Sequence, residues 1–304
     1  MSLLVVGTVA YDSIETPTES RERIMGGSAS YFSIAANFFT DVSLVAVVGG
    51  DMEQSKLDEF QKRNIDCSGL EIRPNEKSFF WAGKYLPNMN DRETLDTQLN
   101  VLADFKPVLS ETAQKSNCLF LANGSVDLQL NVLSQWKGDG ICMADTMNLW
   151  INIQRDLLDE LMKKVDGLIL NDSEAILLTG DSNTVSAARK ILTMGPKFVV
   201  VKKGEHGVIF CSKTQTYALP AFPLDSVVDP TGAGDSFAGG LMGYLASKNC
   251  TAEELDGKTV KEAMAYATVV ASYTCGDFSW DNLLRLNRQD IEARLAEYKD
   301  LFEF

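Results

Sequence analysis

The chain holds one histidine, His206, among 304 residues. That scarcity excludes an H-E-x-x-H zinc site and any multi-histidine metal centre. A Ser-His-Asp triad would have to use His206, and no G-x-S-x-G elbow supports one. Cysteines number six, at positions 67, 118, 142, 211, 250 and 275, and none forms a C-x-x-C pair. Cys118, Cys142 and Cys211 fall in apolar, strand-like runs, where a free thiol behaves as a small hydrophobe. The pattern fits a reducing cytosol better than a disulfide framework. Positive charge is also short: 28 Lys and Arg face 42 Asp and Glu, for a net charge of −14. That balance disfavours nucleic acid or an anionic membrane surface as a general partner, but not an anionic ligand at a locally positive site. No apolar run approaches the roughly 20 residues of a membrane span. Met1-Ser2-Leu3-Leu4-Val5-Val6 lacks a basic n-region and reads as a first strand, so the expected location is the cytoplasm. There is no linker-like or repetitive tract, no G-x-x-x-x-G-K-[ST] loop, and no G-x-G-x-x-G after the first strand at Gly7.

What is present organises the chain around Val227-Val228-Asp229-Pro230-Thr231-Gly232-Ala233-Gly234-Asp235-Ser236-Phe237-Ala238-Gly239-Gly240. A β-branched pair breaks at Pro230 and passes two glycines. It then enters Ser236–Ser247, where Phe237, Leu241, Tyr244 and Leu245 recur at helical spacing. This reads as strand end, tight turn and helix start. Gly232 and Gly234 permit positive φ and the close approach of a ligand. The first turn of a helix offers unpaired N–H groups and partial positive charge to an anion, and the same field favours Asp235 as an ionised proton acceptor. An anion cradle beside a carboxylate base suits phosphoryl transfer to a hydroxyl; so short a motif is equally a Gly-rich turn capped by Asp. Strands alternate with helices almost throughout, so a doubly wound, mostly parallel sheet is expected.

The longer string, D-x-T-G-A-G-D-S-F-x-G-G, resembles the C-terminal signature of the ribokinase-like (PfkB) carbohydrate kinases. Met25-Gly26-Gly27-Ser28-Ala29-Ser30-Tyr31, a second glycine pair leading into a helix, is similar to the family's N-terminal signature. Tyr31 stands where the family usually has an Asn that touches the sugar. Gly49-Gly50-Asp51 is similar to the family's G-x-D, and Asn171-Asp172-Ser173-Glu174 to its N-x-x-E, which by itself is also a helix capping box. The likeness runs from about Leu3 to Ser279. It implies an α/β fold over residues 1–304: a three-layer α/β/α sandwich with a mostly parallel central sheet and a small β-lid from about 12–25 and 71–102. Within those lid stretches Glu15–Ile24 reads as irregular and Asn88–Thr97 as a polar stretch.

The function implied is transfer of the γ-phosphoryl group of ATP to a hydroxyl of a sugar or sugar-like alcohol, with Mg2+ and K+ as candidate ions. Asp235 is then the general base, and the N–H groups of Gly232, Ala233 and Gly234 form the anion hole. Asp12 accepts hydrogen bonds from substrate hydroxyls, Gly26 and Gly27 back the sugar, Trp81 stacks on it, and Asp145 or Asn148 orients it. Asn171, Glu174, Lys202, Gly204 and Thr231 face ATP, Glu174 reaching Mg2+ through water. Asp229 and the Cys275–Ser279 loop are candidates for a monovalent cation. Lys202 and Lys203 stand where many members have Thr and an apolar residue; they read as phosphate partners or as solvated surface lysines. The expected partners are the small alcohol and ATP, without nucleic acid or membrane, and a homodimer is left open. The alternatives are a nucleoside kinase of the same fold, or a non-catalytic sugar- or nucleotide-binding regulator.

Overall fold

The computed structural model of the chain describes residues 2–302. Among these residues the strands are β1 (Ser2–Val6), β2 (Ala10–Glu15), β3 (Ser20–Gly26), β4 (Asp41–Gly49), β5 (Asp66–Arg73), β6 (Phe79–Tyr85), β7 (Arg92–Gln98), β8 (Cys118–Leu121), β9 (Cys142–Asp145), β10 (Gly167–Asn171), β11 (Phe198–Lys202), β12 (Val208–Ser212) and β13 (Thr216–Leu219). Nine form one sheet in the order β13-β12-β11-β10-β9-β8-β1-β4-β5. Every neighbouring pair from β11 to β5 is parallel, and β12 and β13 return as an antiparallel edge.

The strands of the sheet's centre are apolar along most of their length because both faces are covered. Leu3, Val5, Cys118 and Phe120 pack into one cluster; Leu4, Val6, Leu119 and Leu121 pack into another. That is the two-residue period of a strand buried on both sides. Helices Ser28–Asn37, Ala233–Lys248, Gly257–Thr274 and Arg288–Asp300 cover the first face. Helices Val126–Gln135, Arg155–Met162, Asp172–Thr179 and Thr184–Met194 cover the second, giving the three layers expected.

The other four strands form a small sheet, β3-β2-β6-β7, which is the lid. Glu15–Ile24 is therefore only partly irregular: it is the end of β2, a turn over 16–19 and most of β3, the two strands paired antiparallel through a bulge between Asp12 and Ile14. Within Asn88–Thr97, residues from Arg92 onward form β7 against β6. Polar composition hid both strands. β7 is exposed along its whole length and β3 over its first four residues, so neither shows the apolar alternation that marks a strand. The lid runs over 10–26 and 79–98, and residues 71–73 close β5 of the large sheet. Among the described residues no helix is long and apolar enough to cross a membrane, and all six cysteines are unpaired.

Candidate active site

The signature turn reverses the chain through two local bonds. Thr231 N–H donates to Asp229 Oδ1 at 2.9 Å, and Ala233 N–H donates to Pro230 O at 3.1 Å. Gly232 then takes a φ of 77° as N-cap of Ala233–Lys248. A Cβ there would lie 2.5 Å from the ring of Tyr31, so both the left-handed backbone and the ring contact require glycine. Gly234 is helical and serves a different end: a Cβ there would lie 3.1 Å from Lys202 Nζ. With Ala233 bonded, the N–H groups of Gly232 and Gly234 are left without a backbone partner among the described residues. Further along, Gly239 and Gly243 seat the helix against the backbone of Phe32 and Ala36, where a Cβ would come within 2.4 and 2.8 Å. The helices Ser28–Asn37 and Ala233–Lys248 are thereby locked together.

Asp235 is the third residue of that helix, partly buried, and makes no capping hydrogen bond. A helix N-terminus alone would keep it ionised. Burial, then the neighbouring Asp145, raise its pKa to about 7, while Lys202 and Arg92 pull the other way. Asp12, in β2, is buried with its carboxylate laid on Gly26, where a Cβ would stand 2.0 Å from Oδ2. Burial first, then Asp229 and Asp235, raise its pKa to about 8. Gly27 caps the helix Ser28–Asn37 at a φ of 94°, tight against Thr8 O. Asp229 is fully buried, its pKa is raised by that burial, and its Oδ2 has no hydrogen-bond partner among the described residues.

Asp145, Asn171 and Lys202 are the last residues of the adjacent strands β9, β10 and β11. Ligands bind at such strand ends in open parallel sheets. Lys202 Nζ lies 3.3 Å from Asp145 Oδ2, so Lys202 is an ion-paired, largely covered lysine rather than a solvated one. Burial lowers its pKa, but Asp145, Glu174 and Asp235 raise it further, and the ammonium is retained. Asn171 and Glu174 complete a capping box: Glu174 N–H donates to Asn171 Oδ1 at 2.8 Å, and Asn171 N–H donates to Glu174 Oε2 at 2.7 Å. Glu174 is buried, and burial followed by Asp145 raises its pKa to about 7. Asn148 is not brought to the cluster. It is exposed and its Oδ1 accepts from Leu149 N–H, while Asp145 holds the inward place.

The lid closes the other side. Its register pairs Asp12 with Trp81 and Tyr85 with Arg92, placing these side chains on one face of the small sheet. Trp81 turns onto Gly83, donates its indole N–H to Thr94 Oγ1, and packs against a satellite cluster of Ile14, Tyr85 and Phe278. Thr231 Oγ1 donates to Tyr85 Oη at 3.1 Å, so Thr231 faces the lid. Gly204, at a φ of 53°, lies beneath Asn90, whose Oδ1 a Cβ would approach to 2.7 Å. Tyr85, Arg92 and Asn90 lay outside the sequence expectations. The alternation Trp81, Gly83, Tyr85 carried a signal for the first; Arg92 and Asn90 sit where no apolar pattern exists.

The model of the family described as pfkB family carbohydrate kinase matches residues 2–284. A cytidine kinase of Thermococcus kodakarensis is 28% identical over 251 residues, which cover 80% of this chain and 88% of that protein. A fructokinase of Klebsiella pneumoniae is 35% identical over 181 residues, 59% of this chain and 51% of that one. Among solved structures, an Escherichia coli protein described as a ribokinase II, in complex with ATP and Mg2+, superimposes with a TM-score of 0.79 at 18% identity, covering 97% of this chain and 99% of that chain. A nucleoside kinase of Burkholderia thailandensis in complex with inosine gives 0.76 at 18% identity, covering 97% and 98%. The structural likeness is one of fold, and the sequence match extends over nearly the whole chain: it belongs to the pfkB family of carbohydrate kinases.

Proposed function

We propose that the protein transfers the γ-phosphoryl group of ATP to a hydroxyl of an uncharged sugar or nucleoside. The observation that carries this reading is the seating of Asp235 on the helix turn whose Gly232 and Gly234 amides are unpartnered, with the Lys202 ammonium against Gly234. The acceptor lies between Asp12 and Asp235. Asp235 takes the hydroxyl proton as oxygen attacks the γ-phosphorus; the bond to the bridging oxygen breaks and ADP leaves. The Gly232 and Gly234 amides and Lys202 hold the charge that develops, and the Ala233 amide holds the turn in shape. Asn171 and Gly204 border the donor.

No group of three or more His, Cys, Asp or Glu side chains is arranged to cage a metal among the described residues. Glu174 keeps one oxygen outside its capping bond. That donor set fits Mg2+ held largely by water and phosphate oxygens, with Glu174 reaching it through water. The ion would neutralise charge on the donor phosphates. The orphaned Asp229 Oδ2 fits a monovalent cation at the root of the signature turn.

Beside the acceptor place stand Asp12, Asp229 and Asp235; burial first, then repulsion from the other two, raises the Asp12 pKa. An acceptor carrying phosphate or carboxylate would add to that repulsion, which favours a neutral one. A ribonucleoside is the second reading: Trp81 and Tyr85 share the lid's inner face with Asp12 and offer rings to a base. A coupled ADP-release screen over free sugars, sugar phosphates, inositols and nucleosides tests all of this. Turnover on a neutral sugar or nucleoside is expected. Turnover confined to sugar phosphates would overturn the neutral-acceptor reading, and no turnover at all would overturn the kinase reading.

A further inference from the structure

Asp51 takes no part in the proposed transfer, yet both its carboxylate oxygens are bonded to the lid. Asp51 follows β4, in the large sheet. Its Oδ1 accepts from both Ser78 N–H at 2.7 Å and Ser78 Oγ at 2.8 Å. Its Oδ2 accepts from Arg23 Nη2 at 3.1 Å. Ser78 is where the chain leaves the body of the protein for β6, and Arg23 belongs to β3. One carboxylate therefore ties two lid segments that are far apart in sequence.

The surroundings reinforce the tie. Ser78 Oγ accepts from Gly49 N–H at 3.0 Å, and Ser78 O accepts from Asn100 Nδ2 at 2.9 Å, where the chain comes back from β7. Tyr11 of β2 donates its hydroxyl to Asp51 O at 3.4 Å and accepts from Glu53 N–H at 3.0 Å, with the Arg23 guanidinium 4.4 Å above its ring. Burial works against the charge of Asp51, but the bonds from Ser78 and Arg23 outweigh it and hold the carboxyl below its ordinary range. At the far side, the lid meets the signature turn through the Tyr85–Thr231 side-chain bond, and the loop behind that turn through Ser279 Oγ, which donates to Met25 O at 2.6 Å, and Phe278, which packs with Ile14 and Tyr85. The near end of the lid is thus tied through a charged carboxylate, and the far end through neutral hydrogen bonds and packing.

We infer that Asp51 is the lid's fixed post, a positioning residue that sets how the inner face carrying Asp12, Trp81, Tyr85 and Arg92 comes down over the acceptor. This rests on the kinase reading for its catalytic consequence, but not for the anchoring itself. A loosened post leaves the ATP side intact, because Lys202 and Asn171 end strands of the large sheet and Glu174 lies in the first turn of the helix that follows β10. It lets water reach the transferring group, so ADP release without acceptor rises while productive transfer falls.

The test uses Asp51→Ala, Asp51→Asn and Arg23→Met. Amide hydrogen exchange is followed over β2, β3, β6 and β7, with β1 and β8 as internal controls. Loss of charge-assisted bonds is expected to speed lid exchange by at least about tenfold in Asp51→Ala, and less in the other two, with β1 and β8 unchanged. With an accepted sugar or nucleoside, the acceptor KM rises and acceptor-independent ADP release increases, while the ATP KM stays within about twofold. Arg23→Met removes one arm and leaves the Ser78 clamp, so it reports even if Asp51→Ala fails to fold. Unchanged lid exchange in all variants that fold overturns the inference; so does acceleration that spreads equally to β1 and β8. An inert wild-type protein whose variants still show lid-confined exchange sinks the kinase reading and leaves the post standing.

Discussion

An alcohol has a pKa far above neutrality and attacks phosphorus poorly unless its proton leaves as the bond forms. On the proposed reading, Asp235 takes it. Asp235→Asn keeps size and shape and removes the base, so kcat is expected to fall by at least about 10²-fold, with acceptor and ATP KM within a few-fold. The wild-type kcat/KM should climb with pH toward a plateau above about 7, because the base must be deprotonated and its pKa stands at about 7. A flat profile from pH 6 to 8, with chemistry limiting, would remove Asp235 from that role. Lys202→Met is expected to raise the ATP KM and spare the acceptor KM. It also leaves Asp145 buried without its cation, a change that typically costs about 3–5 kcal/mol, so thermal melting must be read beside the kinetics. Asp235 and Gly232 were legible in the sequence because a few consecutive residues build the whole turn. The pairing of Lys202 with Asp145 was not, because it joins two strand ends that only the sheet order brings together. The choice of Asp145 over Asn148 depends on the same thing.

The lid makes the same point one level up. β6 was legible through its aromatics, whereas β3 and β7 were not, since both are polar strands whose partners supply the pattern they lack. The N-x-x-E stretch shows the opposite case: the capping box and the site residue are one object, because a Glu that caps a helix at a strand's end also stands beside Asp145 and Lys202. Tyr85 is where the lid meets the turn, and Tyr85→Phe removes only the hydroxyl that Thr231 bonds. One neutral hydrogen bond is worth about 0.5–1.5 kcal/mol net. The acceptor KM is therefore expected to rise about two- to tenfold and acceptor-independent ADP release to increase, with the ATP KM unchanged. Equal changes in both KM values would mean that Tyr85 supports the fold around the turn rather than closure of the lid.

The folded chain gathers Asp12, Asp145, Glu174, Asp229 and Asp235 at one place, and all five pKa values are raised, by burial first in each case. This has a consequence for the stability of the whole protein. A carboxyl whose pKa is near 4 in the unfolded chain and about 8 when folded, as for Asp12, binds its proton more tightly in the native state. Between those two values the folded form carries more protons than the unfolded form, so stability falls as pH rises, by up to about 1.4 kcal/mol per pH unit for each such group. The contribution is complete below pH 4 and gone above pH 8. Carboxylates with lowered pKa values act in the opposite sense but in a different window: Asp181, held at about 2 by Ser186, Asn183 and Lys190, has finished titrating well before pH 5. The sole histidine, His206, is exposed. The interval from pH 6 to 8.5 therefore reports chiefly on the buried carboxyls. Ligand-free protein is expected to melt at least about 5 °C lower at pH 8.5 than at pH 6, by differential scanning fluorimetry at constant ionic strength. Asp12→Asn carries no titrating proton, so it should flatten the profile and gain most at the alkaline end. Mg2+ with ATP should narrow the difference if cations settle among these carboxylates. A wild-type melting temperature that is flat or rises across this interval would mean that the cluster is already ionised at pH 6. The raised pKa of Asp235, and the pH profile argued from it, would then fall together.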